Sequence, residues 1–253
     1  MTRVCIAGIT GWTGAPLAAA VAAADDLELV VGVARSSVGR RVEGAPVYGS
    51  VAHALEAVEA DVLVDFTDAT VVKQNVLAAL DRRVAVVIGS SGLTAADFDE
   101  IDRRAREQGV GVVAAGNFSF LAALLLRFAA EAARHARSWE IVDYGSASKP
   151  DVPSGTAREL AERLATIRTP LVSQTVHGPV EARGATVAGT QIHSVRLPSF
   201  VVSTEIIFAA QGERLVIRHD PNEGPAPYIA GALLAVRAVR GRVGLTRGLD
   251  SLL

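Results

Sequence analysis

The sequence predicts an α/β protein: a doubly wound parallel sheet, followed by a second α+β domain with a mostly antiparallel sheet. Short valine-rich apolar runs alternate with helical segments from residue 3 to residue 115. A glycine-spaced turn, "GITGWTG", stands between the first run and the first helix. Beyond residue 119 the texture changes to longer β segments with partial alternation.

Taken in order, 3–7 reads as a strand, 15–24 as a helix and 27–33 as a strand. A helix near 50–59, a strand at 61–66, a helix at 70–81 and a strand at 84–89 follow, then a helix at 94–108 and a strand at 110–115. These strands are continuously apolar, as a parallel sheet covered by helices on both faces requires. In the second half, a helix over 121–137 precedes strands at 139–145, 190–197, 202–210 and 213–220, which suit a sheet with one covered face. A helix at 154–168 interrupts them, with Ser154 as its N-cap after Pro153. The last helix, 227–240, regains the apolar composition of the first half. The expected division is therefore 1–118 with 222–253 as one domain, and 119–221 as the other.

Composition excludes several classes. The 253 residues are 50% hydrophobic and 5% aromatic, so Ala, Val, Leu and Ile must form the core. A net charge of −2 argues against nucleic acid or an acidic membrane as partner. Cys5 is the single cysteine; it cannot form an internal disulfide, which suits a reducing cytoplasm, and no His/Cys cluster suggests a metal. The apolar N-terminal stretch is broken by glycines, Trp12 and Pro16, so it reads as a turn rather than a signal peptide. The apolar run 118–133 contains Arg127 and Glu131 and is too short to cross a bilayer.

Gly8, Gly11 and Gly14 lie where a Rossmann-like domain turns its first strand into its first helix. Glycines there permit the reversal, the approach of backbone to a pyrophosphate and close helix–strand packing, while the helix N-terminus favours an anion. The spacing is G-x-x-G-x-x-G rather than the commoner G-x-G-x-x-G, and a plain tight turn is the alternative. The second strand ends in Ala34 and Arg35 with no carboxylate, which favours the 2′-phosphate of NADPH, with NADH as the alternative carrier. Trp12 and Thr13 belong to the same turn. Further strand ends place Phe66 and Thr67, then Gly89, Ser90 and Ser91, then Ala115, Gly116, Asn117 and Phe118 along the same edge. Thr67 or Asp68, and Thr94, also read as helix caps.

In the second half, "KPDVPSGTA" combines a lysine with a helix start rich in hydroxyls. Ser154 and Thr156 with free N–H groups make an anion cradle, and Lys149 adds a charge. Of 25 basic residues only Lys73 and Lys149 are lysines, and an ammonium can give up a proton where a guanidinium cannot.

With these residues in view, the chain resembles the dihydrodipicolinate reductase family over essentially its whole length. "GITGWTG", "DFT", "GSSG", "GNFS", "KPDVPSGTA", "ARGATVAGTQIHSVRL" and "GERLVIRHD" occur in the family's order. The resemblance implies hydride transfer from NADPH or NADH to a conjugated cyclic imine dicarboxylate, usually by a homotetramer. Gly8, Gly11, Gly14 and Arg35 would hold the adenosine end of the carrier, with Gly89, Ser90, Ser91, Ala115, Gly116, Asn117 and Phe118 at the nicotinamide end. Gly155 and Thr156 would bind a substrate carboxylate, and Lys149 would supply a proton.

The chain departs from the family where a histidine pair is expected: it has Gly145 and Ser146. Gly224 stands near the place of a substrate-holding arginine, Trp12 replaces a common arginine, and Phe120 and Leu121 replace small residues. Tyr144 and Asp143 are weaker candidate proton sources, and His193 and His219 read as core or interface histidines. The first expectation is thus a reductase with an altered, less charged cyclic imine or enamine substrate. The alternatives are the ordinary lysine-pathway activity and a non-catalytic dinucleotide-binding sensor or scaffold.

Overall fold

The computed structural model describes residues 1–171, 177–221 and 224–253, and the chain divides into two compact units, 1–119 with 225–253 and 120–224. The position 222, where the sequence reading sets its second boundary, lies outside the described residues.

The first unit contains β1 (Thr2–Ala7), α1 (Gly14–Ala22), β2 (Leu27–Val33), β3 (Arg41–Val42), β4 (Ala45–Tyr48), α2 (Val51–Ala57) and β5 (Val62–Asp65). It continues with α3 (Val72–Leu80), β6 (Ala85–Ile88), α4 (Ala95–Gln108) and β7 (Gly111–Ala114). After the second unit the chain returns as α7 (Ala226–Val239) and β13 (Gly244–Arg247). The eight strands run in the order β13-β7-β6-β5-β1-β2-β4-β3, all pairs parallel except β3 with β4. Strand order reverses beside β1, which pairs with both β2 and β5, and such a switch point leaves a crevice at the carboxyl ends of the strands.

Burial explains the valine-rich strands. Val62, Val64, Val86 and Val112 are fully buried, and one face carries a cluster with Leu63, Val72, Val76, Leu80 and Ile101 from β5, α3 and α4. Each such aliphatic side chain contributes about 1.5–3 kcal/mol over leaving it exposed. Helix α7 lies against α1, β5, β6 and β7, and Arg237 ties it to Asp26 through two bonds of 2.7 and 2.8 Å. Helix α4 starts in a full capping box: Thr94 accepts from Asp97 N, and the Asp97 carboxylate accepts from Thr94 N.

The second unit contains α5 (Phe120–His135), β8 (Ser138–Gly145), α6 (Gly155–Ala165), β9 (Ala185–Val187), β10 (Thr190–Arg196), β11 (Val202–Ala210) and β12 (Glu213–His219). Its five-stranded sheet has the order β12-β11-β8-β10-β9. Most pairs are antiparallel, but β8 and β10 run parallel because α6 lies in the connection between them. Inward residues Trp139, Ile141, Ile192, Ile206 and Phe208 meet Leu125, Leu126, Leu160 and Leu164 of α5 and α6.

The structure corrects the sequence reading in several places. Two short hairpins and the edge strand β13 were not anticipated. Both hairpins turn through two residues of positive φ, Glu43 (47°) with Gly44 (81°) and Ala188 (48°) with Gly189 (80°), a primed turn without the usual Asn-Gly signal. Neither Thr67 nor Asp68 caps α3, whose N-cap position is Val71 with no side-chain bond. The Thr67 hydroxyl donates to Asp65 instead, and Asp68 accepts from Thr70, so the turn delays the helix.

Candidate active site

The carboxyl end of β1 is built for an approach of bare backbone. The amides of Gly8 and Ile9 donate to the Val33 carbonyl at 2.9 and 3.2 Å, fastening the turn to the end of β2. Gly8 has φ +81°, and a Cβ there would lie 2.3 Å from the Phe66 carbonyl oxygen. A Cβ on Gly14 would lie 2.0 Å from the Gly8 carbonyl oxygen. Neither position admits a side chain, so the N-terminus of α1 packs directly on the turn, the arrangement that fits a dinucleotide pyrophosphate. Trp12 is about half exposed, its ring 5.7 Å from that of Tyr228 on α7, and Thr13 occupies the N-cap position of α1.

Beside the turn opens a cavity of about 490 Å³ lined by Gly8, Gly11, Arg35, Thr67, Asp68 and Asn75, among others. It brings together sequence-predicted residues from the ends of β1, β2 and β5. Arg35 is 83% exposed and donates to Asp68 at 3.3 Å.

Asp65, missed in the sequence, organises the next strand ends. Fully buried, its carboxylate accepts from Thr67 N (3.0 Å), Thr67 Oγ1 (2.6 Å), Asn75 Nδ2 (2.8 Å) and Ser90 Oγ (2.6 Å). It thereby locks β5, α3 and the loop after β6 together. The signal was present: a carboxylate closing an apolar strand must find donors. The Cys5 thiol is pushed up to about 12, first by burial and then by the Asp65 charge, so it stays an inert core group.

The remaining predicted cofactor residues cluster around Phe66. A Cβ on Gly89 would lie 2.1 Å from the Phe66 ring, so only glycine lets that ring seat there. Phe66 meets Phe118 edge to face, centroids 5.6 Å apart. Ala115 N donates to the Ile88 carbonyl at 3.2 Å, and Asn117 Oδ1 accepts from Ser119 N at 2.9 Å, shaping the turn Ala115, Gly116, Asn117, Phe118. Ser91 is exposed next to the anchored Ser90.

In the second unit, Lys149 Nζ sits 2.7 Å from Asp151 Oδ1, both side chains about three-quarters buried. Ser154 caps α6 by accepting from Ala157 N at 3.2 Å, and Gly155 and Thr156 form its first turn. The loop between them is held by a buried pair, of which the sequence reading named Asp143 but not Arg196. Asp143 Oδ2 accepts from Arg196 Nη2 (2.8 Å), Ser154 N (2.9 Å) and Ser194 Oγ (3.0 Å), and Arg196 Nη2 also donates to the Asp151 carbonyl (2.7 Å). Asp143 is fully buried in that network, where its bonds hold the loop. A Cβ on Gly145 would lie 3.1 Å from the Arg196 guanidinium, which fills the space beside it. Tyr144 stacks on Phe200 at 5.2 Å and lies under Arg218 at 4.8 Å. His193 binds Glu140 at 2.7 Å, and burial holds the His219 imidazole below its usual value against the pull of Asp220. Among the described residues no group of three or more His, Cys, Asp or Glu is placed to hold a metal, and no helix is long and apolar enough to cross a membrane.

A glycine turn at the switch point of a parallel sheet, with a lysine and a capped helix start in the second unit, is the arrangement expected of a dinucleotide-linked oxidoreductase. Profiles described as "Dihydrodipicolinate reductase, N-terminus" and "Dihydrodipicolinate reductase, C-terminus" match residues 2–118 and 122–253. The chain belongs to the dihydrodipicolinate reductase family. It is 36% identical to the 4-hydroxy-tetrahydrodipicolinate reductase of Moorella thermoacetica, over 99% of this chain and 97% of that protein. The solved dipicolinate-bound dihydrodipicolinate reductase of Paenisporosarcina sp. TG-14 is 28% identical, with a TM-score of 0.78 and both chains wholly covered. GenD2 from gentamicin A biosynthesis, solved with NAD, shares the fold at 16% identity and a TM-score of 0.68, over 99% of this chain and 90% of that one.

Proposed function

We propose that this protein is a 4-hydroxy-tetrahydrodipicolinate reductase that uses NAD(P)H and prefers NADPH. The observation that carries the reading is the pairing of Lys149 with Asp151 beside the Ser154-capped start of α6: a proton-bearing cation next to an anion cradle. Full-length identity of 36% to reductases of that name supports this activity ahead of the altered-substrate reading, reversing the order the sequence suggested.

The bound carrier supplies the hydride. Gly8, Gly11 and Gly14 present backbone to its pyrophosphate, with Trp12 and Thr13 in the same turn, and Arg35 takes the 2′-phosphate. Phe66, Thr67, Gly89, Ser90, Ser91, Ala115, Gly116, Asn117 and Phe118 shape the place of the nicotinamide. Ser154, Gly155 and Thr156 bind a substrate carboxylate at the N-terminus of α6. Lys149 gives its Nζ proton to the end of the double bond that the hydride does not attack, and regains one from water, while Asp151 keeps the ammonium in place. As in the family, the working form is a cytoplasmic homotetramer.

Gly145, Ser146 and Gly224 favour a second reading, a less charged cyclic imine as substrate, because they stand where the family resemblance puts an imidazole pair and a substrate-holding arginine. Steady-state oxidation of NADPH with 4-hydroxy-tetrahydrodipicolinate, beside monocarboxylate and uncharged cyclic imines, separates the two. The proposed function predicts the highest kcat/KM for the dicarboxylate; a higher value for a monocarboxylate imine establishes the second reading. Sedimentation of the purified protein tests the tetramer.

A further inference from the structure

The rim of the cavity in the first unit carries two opposite charges, of which the sequence reading assigned only Arg35 to the cofactor. Arg35 comes from the end of β2 and Asp68 from the loop after β5, and both line the same space. Their ion pair spans 3.3 Å with side chains 83% and 45% exposed, so it is weak and open to exchange. The two residues are not equally free to move. Asp68 Oδ1 accepts from the backbone N of Thr70 at 2.9 Å and from its hydroxyl, which fixes the carboxylate and leaves Oδ2 facing Arg35. The same bonds from Thr70 hold the Asp68 carboxyl below its usual range, so it is an anion at neutral pH.

Where dinucleotide sites favour NADH, a carboxylate accepts the adenosine ribose hydroxyl, usually from the end of the second strand. Here that strand end offers Ala34 and Arg35, and the carboxylate at the rim arrives from the loop after β5, on the far side of β1. Resting on the cofactor site proposed above, we infer that Asp68 is a specificity-determining residue of this protein: it receives the ribose hydroxyl of NADH, and it restrains the preference for NADPH by competing for Arg35. The 2′-phosphate of NADPH draws Arg35 away from Asp68, since a guanidinium grips a phosphate through two parallel bonds. Asp68, fixed by Thr70, then remains beside the phosphate as a like charge. With NADH there is no such repulsion, and Oδ2 is an acceptor ready for a hydroxyl. Arg35 and Asp68 thus pull the preference in opposite directions.

The test is calorimetric titration of NADPH and NADH into the full chain, the Asp68→Asn variant and the Arg35→Ala variant. Asparagine keeps the oxygen that organises the Thr70 turn and puts a neutral NH2 donor in place of Oδ2, removing both the charge facing Arg35 and the acceptor for the ribose hydroxyl. The expected result is a rise of about three- to tenfold in the NADPH-to-NADH affinity ratio for Asp68→Asn, the range for a partly exposed like-charge contact. Arg35→Ala moves the ratio the other way. Adenosine 2′,5′-bisphosphate against 5′-AMP shows the same shift, because the effect lies at the adenosine end. A ratio that stays constant or falls in Asp68→Asn, while both carriers still bind, overturns the role of Asp68. Absence of binding of either carrier to the unsubstituted chain overturns the cofactor site itself.

Discussion

The first unit offers backbone where the second offers side chains. Gly8 and Gly14 leave no room for a Cβ, and the turn they make is fastened by main-chain bonds to β2. In the second unit Lys149, Asp151, Ser154 and Thr156 stand on a loop and a helix start that a buried Asp143–Arg196 pair secures. A backbone site tolerates no added atom, because its grip rests on main-chain N–H groups rather than on side chains. A side-chain site depends on a few charges and on whatever holds them. The difference suits the two ligands proposed for them: a carrier shared by many enzymes, and a substrate that each enzyme must distinguish.

Substitutions can break this contrast from either side. Lys149→Ala is expected to have the largest effect, lowering kcat by about 10²–10⁴-fold, the usual contribution of general acid catalysis, with NADPH affinity within about twofold. Stopped-flow turnover together with a binding titration checks it; unchanged turnover removes Lys149 from the reaction. Gly14→Ala is the mirror case. Its Cβ would meet the Gly8 carbonyl oxygen at 2.0 Å, and a strain of about 3 kcal/mol weakens NADPH binding about 100-fold while the far-UV spectrum is retained. Retained affinity would show that the turn can relax and that the backbone description is wrong.

Arg196→Ala probes the support of the second site. It strands the fully buried Asp143 carboxylate, so unfolding by urea should show a loss of about 3 kcal/mol. Arg196→Met with Asp143→Leu, which removes both charges, should restore part of the stability but not the turnover, because the Asp151 carbonyl also loses its donor. The smallest effect concerns His219. Burial lowers its folded value below the unfolded 6.5, so below that pH the unfolded chain takes up a proton that the folded one resists. Stability therefore falls as pH drops from 7 through this window, and His219→Gln should flatten the slope in thermal melts at pH 7 and pH 5. An unchanged slope would place the acid sensitivity elsewhere.

Much of this was legible in the residues, for physical reasons. Continuous valine runs between helices can satisfy their burial in few ways other than a covered parallel sheet, so the layering followed. Thr94 and Ser154 announced their helices because a hydroxyl before a helix satisfies an otherwise orphaned N–H, and both cap as expected. The two hairpins were hidden because Glu43-Gly44 and Ala188-Gly189 carry only half of the usual turn signal. Asp65 is close in sequence to its partner Thr67, but its links to Ser90 depend on which strands become neighbours. Asp143 and Arg196 are 53 residues apart and meet only because β8 and β10 pair in parallel. Local chemistry could be read directly; pairing across strands needed the fold.

The most direct test is single-turnover oxidation of NADPH by the purified chain, with and without 4-hydroxy-tetrahydrodipicolinate. The account predicts loss of the reduced-nicotinamide absorbance only when that substrate is present, one carrier consumed per substrate, with Lys149→Ala slow although NADPH is bound. Tight NADPH binding with no substrate-dependent oxidation by the unsubstituted chain would contradict it.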